Sequence, residues 1–281
     1  MKRQGGMTIV ELMIALTLGM IVTLLAGSVL MAANAAYASQ MELANIDDAG
    51  RFALATIERA VRQAGYRDWE QEEREPPPAG IGGIDAASLG KATAAMSEPQ
   101  RDVANGSDVL AVRFDGDAGA TGCAGFAVDA QRDGWSIFYV GRSASGETEL
   151  RCKYRGQKNW SADAVVAGVD SFQVLYGLDT DDPPDGAANQ FVTASAINAL
   201  EAELKTPGAR WKRVASIRVG LVLHGRQRTR AGDKAAVFHL FGPGYGDEQG
   251  TSIVEEDMAP SLRERERRAF SSTILLRNPS S

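Results

Sequence analysis

An uncharged apolar run near the N-terminus limits what this chain can fold into more than any other feature. No charged residue occurs from Leu12 to Ala33, a stretch of 22 positions. About 20 consecutive apolar residues are enough for a helix to span a bilayer. Lys2 and Arg3 precede the run, and no basic residue follows it closely. The sequence therefore predicts a transmembrane helix with a cytoplasmic N-terminus, because basic residues favour that side of the membrane.

A carboxylate at the start of the run needs an explanation. Glu11 directly precedes the uncharged stretch, and an ionisable group in a membrane is costly unless it is paired. A secretory signal peptide is one alternative, since Ala-x-Ala patterns follow in "MAANAAYAS", but the run is long for a signal peptide and the acid does not fit one. A plain membrane anchor explains the length but not the acid. Glu11 is therefore expected to have a specific partner.

The segment "GGMTIVELMIALTLG" resembles the N-terminal motif of type IV prepilins and of the related pseudopilins of type II secretion. In that family a peptidase cuts after a Gly on the cytoplasmic side and methylates the new N-terminus. The resemblance implies cleavage between Gly6 and Met7 and N-methylation of Met7, where many major pilins have Phe. It also gives Glu11 a partner, the α-amino group of a neighbouring subunit in the apolar filament core. Two buried charges that satisfy each other are tolerated where one alone is not.

The helix is expected to continue beyond the membrane. Apolar and small residues recur at spacings of three or four, which predicts one stripe packed on a globular domain. The stripe consists of Leu43, Ile46, Gly50, Leu54, Ile57, Val61 and Ala64. The charged residues Glu42, Asp47, Glu58 and Arg62 are predicted to lie mostly off the stripe. Gly65 suits the end of the helix.

Strand patterns follow from Ser107 onward. Apolar residues alternate in "DVLAVRF", "DSFQVLYG", "ASIRVGLVLHG" and "FSSTILL", and "WSIFYVG" with "ELRCKY" predicts a hairpin around "RSASGE". "SAINALEAELK" is expected to be a short helix between strands. The predicted fold class is α+β, with a long N-terminal helix packed on a mostly antiparallel β-sheet domain.

These patterns, with the cleavage site that the prepilin resemblance implies, divide the chain into five predicted parts. Residues 1–6 are a leader, 7–33 the transmembrane half of the helix, and 34–66 its periplasmic half. Residues 67–106 are a linker or variable loop, because "DWEQEEREPPPAGIGGIDAASLG" combines charge, prolines and glycines. Residues 107–281 are the β-rich domain. The run "LRERERR" is expected to be a solvated face before the last strand.

Several strands extend the resemblance. In their order along the chain, "CAG", "IFYVG", "ELRC", "VAGVDSFQVLYGLDTD", the strand from Trp211 to Leu223 and "LLRN" are similar to the PilW family of minor pilins. That family is related to the GspJ-type pseudopilins, so two interpretations stay open: a minor pilin of a type IV pilus and a pseudopilin of type II secretion. The resemblance implies a pilin-like fold and a role in priming pilus assembly near the tip. It also implies a periplasmic domain that later enters the filament. The partners that it implies are other minor pilins, the major pilin, the prepilin peptidase, the inner-membrane assembly platform and a tip adhesin.

The two cysteines are predicted to form a structural disulfide. Cys123 and Cys152 lie 29 positions apart on the side of the membrane predicted to be periplasmic, where conditions are oxidising. A redox pair is the alternative, but it favours a close C-x-x-C spacing, which this sequence lacks.

An acidic loop offers a weak metal candidate. Asp179, Asp181, Asp182 and Asp185 cluster in "LDTDDPPDGAANQ", and oxygen-rich loops bind Ca²⁺. The EF-hand order is not met, because Pro183 falls on a ligand position. An acidic Pro-Gly turn without a cofactor is the favoured prediction.

Composition and motifs give no support to nucleic-acid binding, nucleotide binding or catalysis. The chain carries 36 acidic against 30 basic residues, a poor balance for non-specific binding to nucleic acid. No nucleotide-binding loop or nucleophile elbow is present, and His224 and His239 lack a second ligand at metal spacing. A periplasmic enzyme on a signal anchor remains an alternative, but it needs a catalytic cluster that the sequence does not suggest.

Overall fold

The computed structural model describes residues 8–67, 78–101, 103–116, 119–130, 132–202, 208–229, 236–245 and 250–277. A helix of 53 residues, α1 (Ile9–Val61), leads into a β-rich domain that also contains a short helix, α2 (Ala194–Ala202). Every strand pairing in the described residues is antiparallel. The predicted α+β class is confirmed, and so is the short helix between strands.

The described residues of the domain form three sheets. The first contains, in spatial order, β1 (Ile81–Ile84), β2 (Val109–Asp115), β3 (Asp133–Arg142), β4 (Thr148–Arg155) and β5 (Trp160–Ala167). The second contains, in spatial order, β11 (Arg267–Leu275), β8 (Val214–His224), β6 (Val169–Leu178) and β7 (Gln190–Val192). A two-stranded ribbon pairs β9 (Val237–His239) with β10 (Ser252–Val254).

One hydrophobic core joins α1 to the two larger sheets. Successive side chains of a strand point to opposite faces, so Leu110, Val112 and Phe114 of β2 enter this core together, as predicted. The intervening residues Val109 and Ala111 belong to a second cluster on the opposite face of the first sheet. The β3–β4 hairpin is also confirmed.

The stretch predicted to be a linker contains ordered structure. Ile81–Ile84 forms β1, which pairs with β2, and Ala87 and Leu89 are fully or almost fully buried in the second cluster. The prediction of a surface connection is therefore wrong for this part of residues 67–106. Two glycines in "IGGI" hide the strand pattern, and the backbone hydrogen bonds to β2 supply what the local sequence lacks.

Two aspartates, the half-buried Asp85 and the buried Asp108, connect distant parts of the domain. Both carboxylate oxygens of Asp85 accept hydrogen bonds at the start of α2, from Ala194 N at 3.0 Å and Ser195 N at 2.7 Å. Asp108 accepts hydrogen bonds from the backbone N–H of Ala86 and of Val174. Burial raises the pKa of Asp108 well above its usual range. These contacts fasten the segment after β1 to the second sheet.

Candidate assembly interface

The N-terminal half of α1 is not covered by any described part of the chain. Its large apolar side chains from Ile9 to Met31 are between 50% and 79% exposed. An apolar segment of 18 residues on this helix is not buried at all. The helix is long enough and apolar enough to span a membrane. Such a surface is unfavourable in water, so it needs lipid or other apolar helices around it.

A capping box closes the start of this helix. Thr8 is the N-cap, and its hydroxyl accepts a hydrogen bond from Glu11 N at 3.3 Å. The Glu11 carboxylate in turn accepts hydrogen bonds from Thr8 N at 2.9 Å and from the Thr8 hydroxyl at 3.1 Å. This pattern satisfies backbone groups that the first turn of a helix leaves unpaired. Glu11 thus has a hydrogen-bond partner within its own chain, which sequence analysis did not anticipate. Gly6 and Met7, the predicted cleavage site, lie outside the described residues.

The second half of α1 docks on the domain through the predicted stripe. Ile46, Gly50, Ile57, Val61 and Ala64 are buried, whereas the stripe residues Leu43 and Leu54 are half-buried. The helix ends at Val61, shortly before Gly65, whose positive φ of 68° suits the turn that follows.

Glu42 departs from the prediction. It was expected to lie off the packed face, but it is buried, and its carboxylate accepts a hydrogen bond from Arg226 N at 2.8 Å. A Cβ on Gly225 would lie 2.4 Å from a Glu42 carboxylate oxygen, so the glycine makes room for this contact. The local sequence around Glu42 carries no signal for a partner 184 positions away.

An apolar row lies on the opposite side of α1. Tyr37, Met41 and Phe52 are 66%, 46% and 57% exposed. At about 100° per residue, these three side chains fall within about 60° of the helix circumference. Ile46 and Ile57 lie on the opposite side, facing the core. We call Tyr37, Met41 and Phe52 the outer row; it continues the exposed surface of the membrane half.

A network of buried charges holds the ends of the sheets together, and sequence analysis missed it. His224, at the end of β8, lies between two carboxylates, with Nδ1 2.9 Å from Asp170 Oδ1 and Nε2 2.5 Å from Glu147 Oε1. Arg267 Nε donates to the other oxygen of Asp170 at 2.7 Å and its Nη1 donates to Glu255 at 3.1 Å. The predicted solvated face "LRERERR" is therefore wrong at Arg267, which is buried.

Both ring nitrogens of His224 lie within hydrogen-bond distance of a carboxylate oxygen, and which atom donates depends on the tautomer. Burial raises the pKa of Asp170, but the hydrogen bonds and charges of His224 and Arg267 outweigh it, and the pKa is lowered. The pKa of Glu147 is lowered in the same way, with Arg265 contributing. Since carboxylates contact both ring nitrogens, the imidazole is held in place by its two neighbours within the fold.

A disulfide fastens a loop to the first sheet. Cys123 is bonded to Cys152 of β4, with their Cα atoms 6.1 Å apart, as the structural prediction requires. In the loop, Phe126 lies against Tyr154, with ring centroids 5.3 Å apart.

The acidic loop brings three of its four aspartates together. Ligand oxygens of Asp179, Asp181 and Asp185 lie within 4.8 Å of one another, and Asp182 is not part of this group. Asp179 already accepts hydrogen bonds from Asp181 N at 3.0 Å and Gly186 N at 2.7 Å. These hydrogen bonds, of which that from Gly186 is the larger cause, together with nearby Arg213 lower the pKa of Asp179. The loop is thus stabilised by its own donors.

Comparisons with known families agree with this architecture. A profile of the prokaryotic N-terminal methylation motif matches residues 1–27. The profile described as type IV pilus-assembly protein W matches residues 137–278, just over half of the chain. The chain belongs to the PilW family. Membership of the PilW family implies association with other pilins and with the pilus machinery.

Solved structures include a similar chain. A type IV-like pilin from Thermus thermophilus shares 16% identity with a TM-score of 0.41, over 83% of this chain and 97% of that one. No curated protein sequence matches this PilW-family chain.

Proposed function

We propose that this chain is a minor pilin of a bacterial type IV pilus, and that it primes pilus assembly within a minor-pilin complex near the tip. Its role is structural, and we assign no reaction to it. The observation that carries the proposal is the difference between the two halves of α1. The first half is apolar and exposed, whereas the second half is packed on a folded domain. Such a chain can be stored in a membrane and then transferred into a bundle of like helices.

The outer row supports the same proposal. A helix that is buried on one side and has exposed aromatic and apolar side chains on the other has a second face available for packing. Tyr37, Met41 and Phe52 present that face directly beyond the membrane half. We infer that neighbouring pilin helices pack on the outer row in the filament, while the β-rich domain stays outside the helical bundle.

Maturation is part of the proposal. The prepilin peptidase would cut between Gly6 and Met7 and methylate Met7, leaving Thr8 and Glu11 in the first turn of the mature helix. The capping box supports a further step, because a pre-formed cap holds the Glu11 carboxylate at the helix start. We propose that this carboxylate pairs with the α-amino group of a neighbouring subunit during docking, with the chain inserted N-terminus in the cytoplasm and its domain in the periplasm.

A deletion strain tests this function. Surface pili are counted by electron microscopy and secreted enzymes are assayed in the same cultures, with the wild-type gene restored as control. Loss of pili with normal secretion is the expected result. Normal pili with exoproteins trapped in the periplasm would instead assign the chain to type II secretion as a GspJ-like pseudopilin. If neither pili nor secretion changes, a filament role is contradicted.

A further inference from the structure

The last strand, β11, forms an edge of the second sheet. It pairs with β8 along its full length, from Arg267 opposite His224 to Leu275 opposite Ser216, and the register has no break. One face of the strand packs on the core that includes α1, through Phe270. The side of β11 that points away from β8 is paired with no described strand.

Every second residue of β11 directs its backbone groups to this open side. Leu276 N donates to Ala215 O and Gly225 N donates to Glu266 O, both at 2.9 Å. Because partners in an antiparallel ladder alternate, the even-numbered residues of β11 face β8 and the odd-numbered ones face away. The outward residues within the strand are Ala269, Ser271, Thr273 and Leu275. All four are exposed, and their backbone groups form no hydrogen bond with a described residue.

This edge lacks the features that usually protect an edge strand. Proteins protect such edges with charges, prolines, bulges or short length. β11 has nine residues, and its segment from Ala269 to Leu276 contains no charge and no proline. Such a segment is well suited to pair with another strand. The other edge strands of the two larger sheets differ: β1 and β7 have four and three residues, and β5 carries the exposed Asp163 and a break in register.

We propose that the open side of β11 binds an extended strand from the domain of a neighbouring pilin, which runs antiparallel to β11. The outward N–H and C=O groups pair with the backbone of that strand, and the four-stranded sheet gains another strand. This inference rests on the proposed function, because the neighbour is a subunit of the same complex. It adds a contact between domains to the packing of helices on the outer row.

The direction of β11 relative to α1 indicates which strand of the neighbour fits. Arg268 contacts Asp47 of the helix, and further along both elements Phe270 contacts Gly50. The helix and the strand therefore run in the same direction. In a bundle of like helices inserted from one side of a membrane, all copies of α1 share this direction. An antiparallel partner strand thus runs opposite to its own α1, as β8 does in this chain.

The exposed side chains of β11 define the chemistry of the partner strand. Cross-strand neighbours stabilise a sheet when their side chains suit each other. Ser271 and Thr273 are small and uncharged, so they suit hydroxyl-bearing or β-branched residues. Leu275 is 69% exposed and suits an apolar residue. Arg277 is exposed just beyond the strand and favours an acidic residue at that end of the partner.

A photo-cross-link tests the contact in the bacterium that makes the chain. The photoreactive amino acid p-benzoylphenylalanine replaces Thr273, and mass spectrometry identifies the partner residue. The exposed Lys158 is the control position. We expect a light-dependent cross-link from the Thr273 site to a strand of another pilin's domain, and none to that strand from the Lys158 site. Absence of a cross-link, or a cross-link only to a helix or to another class of protein, overturns the proposal.

Matched variants at Ser271 separate backbone pairing from loss of a side chain. Ser271→Pro removes an N–H that points away from β8, so the pairing within the chain is kept. It should lower the yield of the Thr273 cross-link about fivefold, the effect of one lost hydrogen bond, whereas Ser271→Ala should not change it. Urea unfolding verifies that both variants are folded.

A charge provides a second variant if the proline variant is unstable. Ser271→Lys places a cation on the edge, which opposes addition of a strand, and Ser271→Thr is its control. An unchanged cross-link in the folded proline or lysine variant overturns the proposal. The deletion strain tests the proposed function separately. Pili that are lost on deletion but restored in full by Ser271→Pro or Ser271→Lys would contradict the strand pairing and leave the function intact.

Discussion

The ring of Phe270 in β11 lies in a notch that Gly50 leaves on the buried face of α1. A Cβ on Gly50 would come within 2.4 Å of Phe270 Cζ and within 2.6 Å of two further ring atoms. No side chain other than hydrogen fits there unless the ring or the helix shifts. Nearby, Arg268 donates two hydrogen bonds to the Asp47 carboxylate, at 2.7 and 2.8 Å. The helix is thus positioned on the last strand by shape as well as by charge.

Gly50→Val is expected to destabilise the domain by about 1–3 kcal/mol, because it overpacks the notch. Urea unfolding of the detergent-solubilised chain, followed by tryptophan fluorescence, measures the effect. Gly27→Val is the matched control, because Gly27 lies on the same helix and a Cβ there would have no other atom within 4 Å. Adding Phe270→Ala should restore part of the loss. Equal stability of the two valine variants would contradict the notch.

Glu11→Gln and Thr8→Ala separate the two contacts that we assign to Glu11. Glutamine keeps hydrogen-bond acceptance but loses the charge, whereas Thr8→Ala removes the cap hydroxyl and keeps the carboxylate. If pairing with a neighbouring α-amino group drives docking, Glu11→Gln abolishes pilus assembly and Thr8→Ala only weakens it. Pili are counted, and mass spectrometry verifies that both variants are cleaved and methylated. Normal assembly by Glu11→Gln would disprove the charge pairing.

Lys153 should make stability rise with pH in the alkaline range. Its side chain is buried, donates to Gly90 O and Thr93 Oγ1, and has no ion-pair partner in the described residues. Burial lowers its pKa from 10.5 to about 8. Between these values the unfolded chain holds a proton that the folded chain lacks, so stability increases with pH. Lys153→Met should be more stable than the unmodified chain at pH 7, with the difference shrinking towards pH 10.5.

Unfolding measured at several pH values checks this expectation. Lys158→Met is the control, because Lys158 is exposed and its removal should leave the pH dependence unchanged. Between pH 8 and pH 10.5, the free energy of unfolding of the unmodified chain should rise relative to that of Lys153→Met. If this difference stays constant or falls, the lowered pKa is contradicted.

Asp170→Asn tests the buried charge network. The substitution leaves His224 and Arg267 without their shared carboxylate, and breaking such a buried pair typically costs about 3–5 kcal/mol. Because the folded pKa of Asp170 is lowered, its contribution is present above the ordinary value of 3.8 and is lost as pH falls below it. The variant should therefore lose less stability in acid than the unmodified chain. Asp129→Asn, in an exposed pair, should change stability by less than about 1 kcal/mol.

Calcium is expected to leave the acidic loop unchanged. Asp179 already accepts two backbone hydrogen bonds, and the Arg213 guanidinium lies 3.9 Å from it. A cation would have to displace these donors. Millimolar CaCl₂, added to protein pretreated with a chelator, should give the same Tm as MgCl₂. A calcium-specific increase in Tm that Asp185→Asn removes would establish a metal site.

Local patterns predicted the elements whose signal is repeated along the chain. Alternation placed Leu110, Val112 and Phe114 on one face, because a strand presents every second side chain to the core. The apolar run and the stripe through Ile46 and Ile57 likewise predicted α1, because several turns of helix carry the same spacing.

Contacts between distant segments could not be predicted in this way. The His224 network combines Glu147, Asp170, Glu255 and Arg267 from separate segments, and each looks like an ordinary surface charge in its own sequence. Burial by other segments is what turns these residues into a network. The same holds for Glu42, which was predicted to lie off the packed face because its local sequence gives no sign of its partner, Arg226.

The docking of α1 on β11 has a consequence for the order of events during synthesis. Asp47 and Arg268 are 221 positions apart, so the helix leaves the ribosome long before the strand on which it rests. At about 5–20 residues per second, the interval is on the order of 10–40 s. During that time the second half of the helix exposes Ile46, Ile57 and Val61 until the strands that cover them have been made. A newly made chain therefore passes through a stage in which this apolar stripe is made but the strand that fixes its position is not.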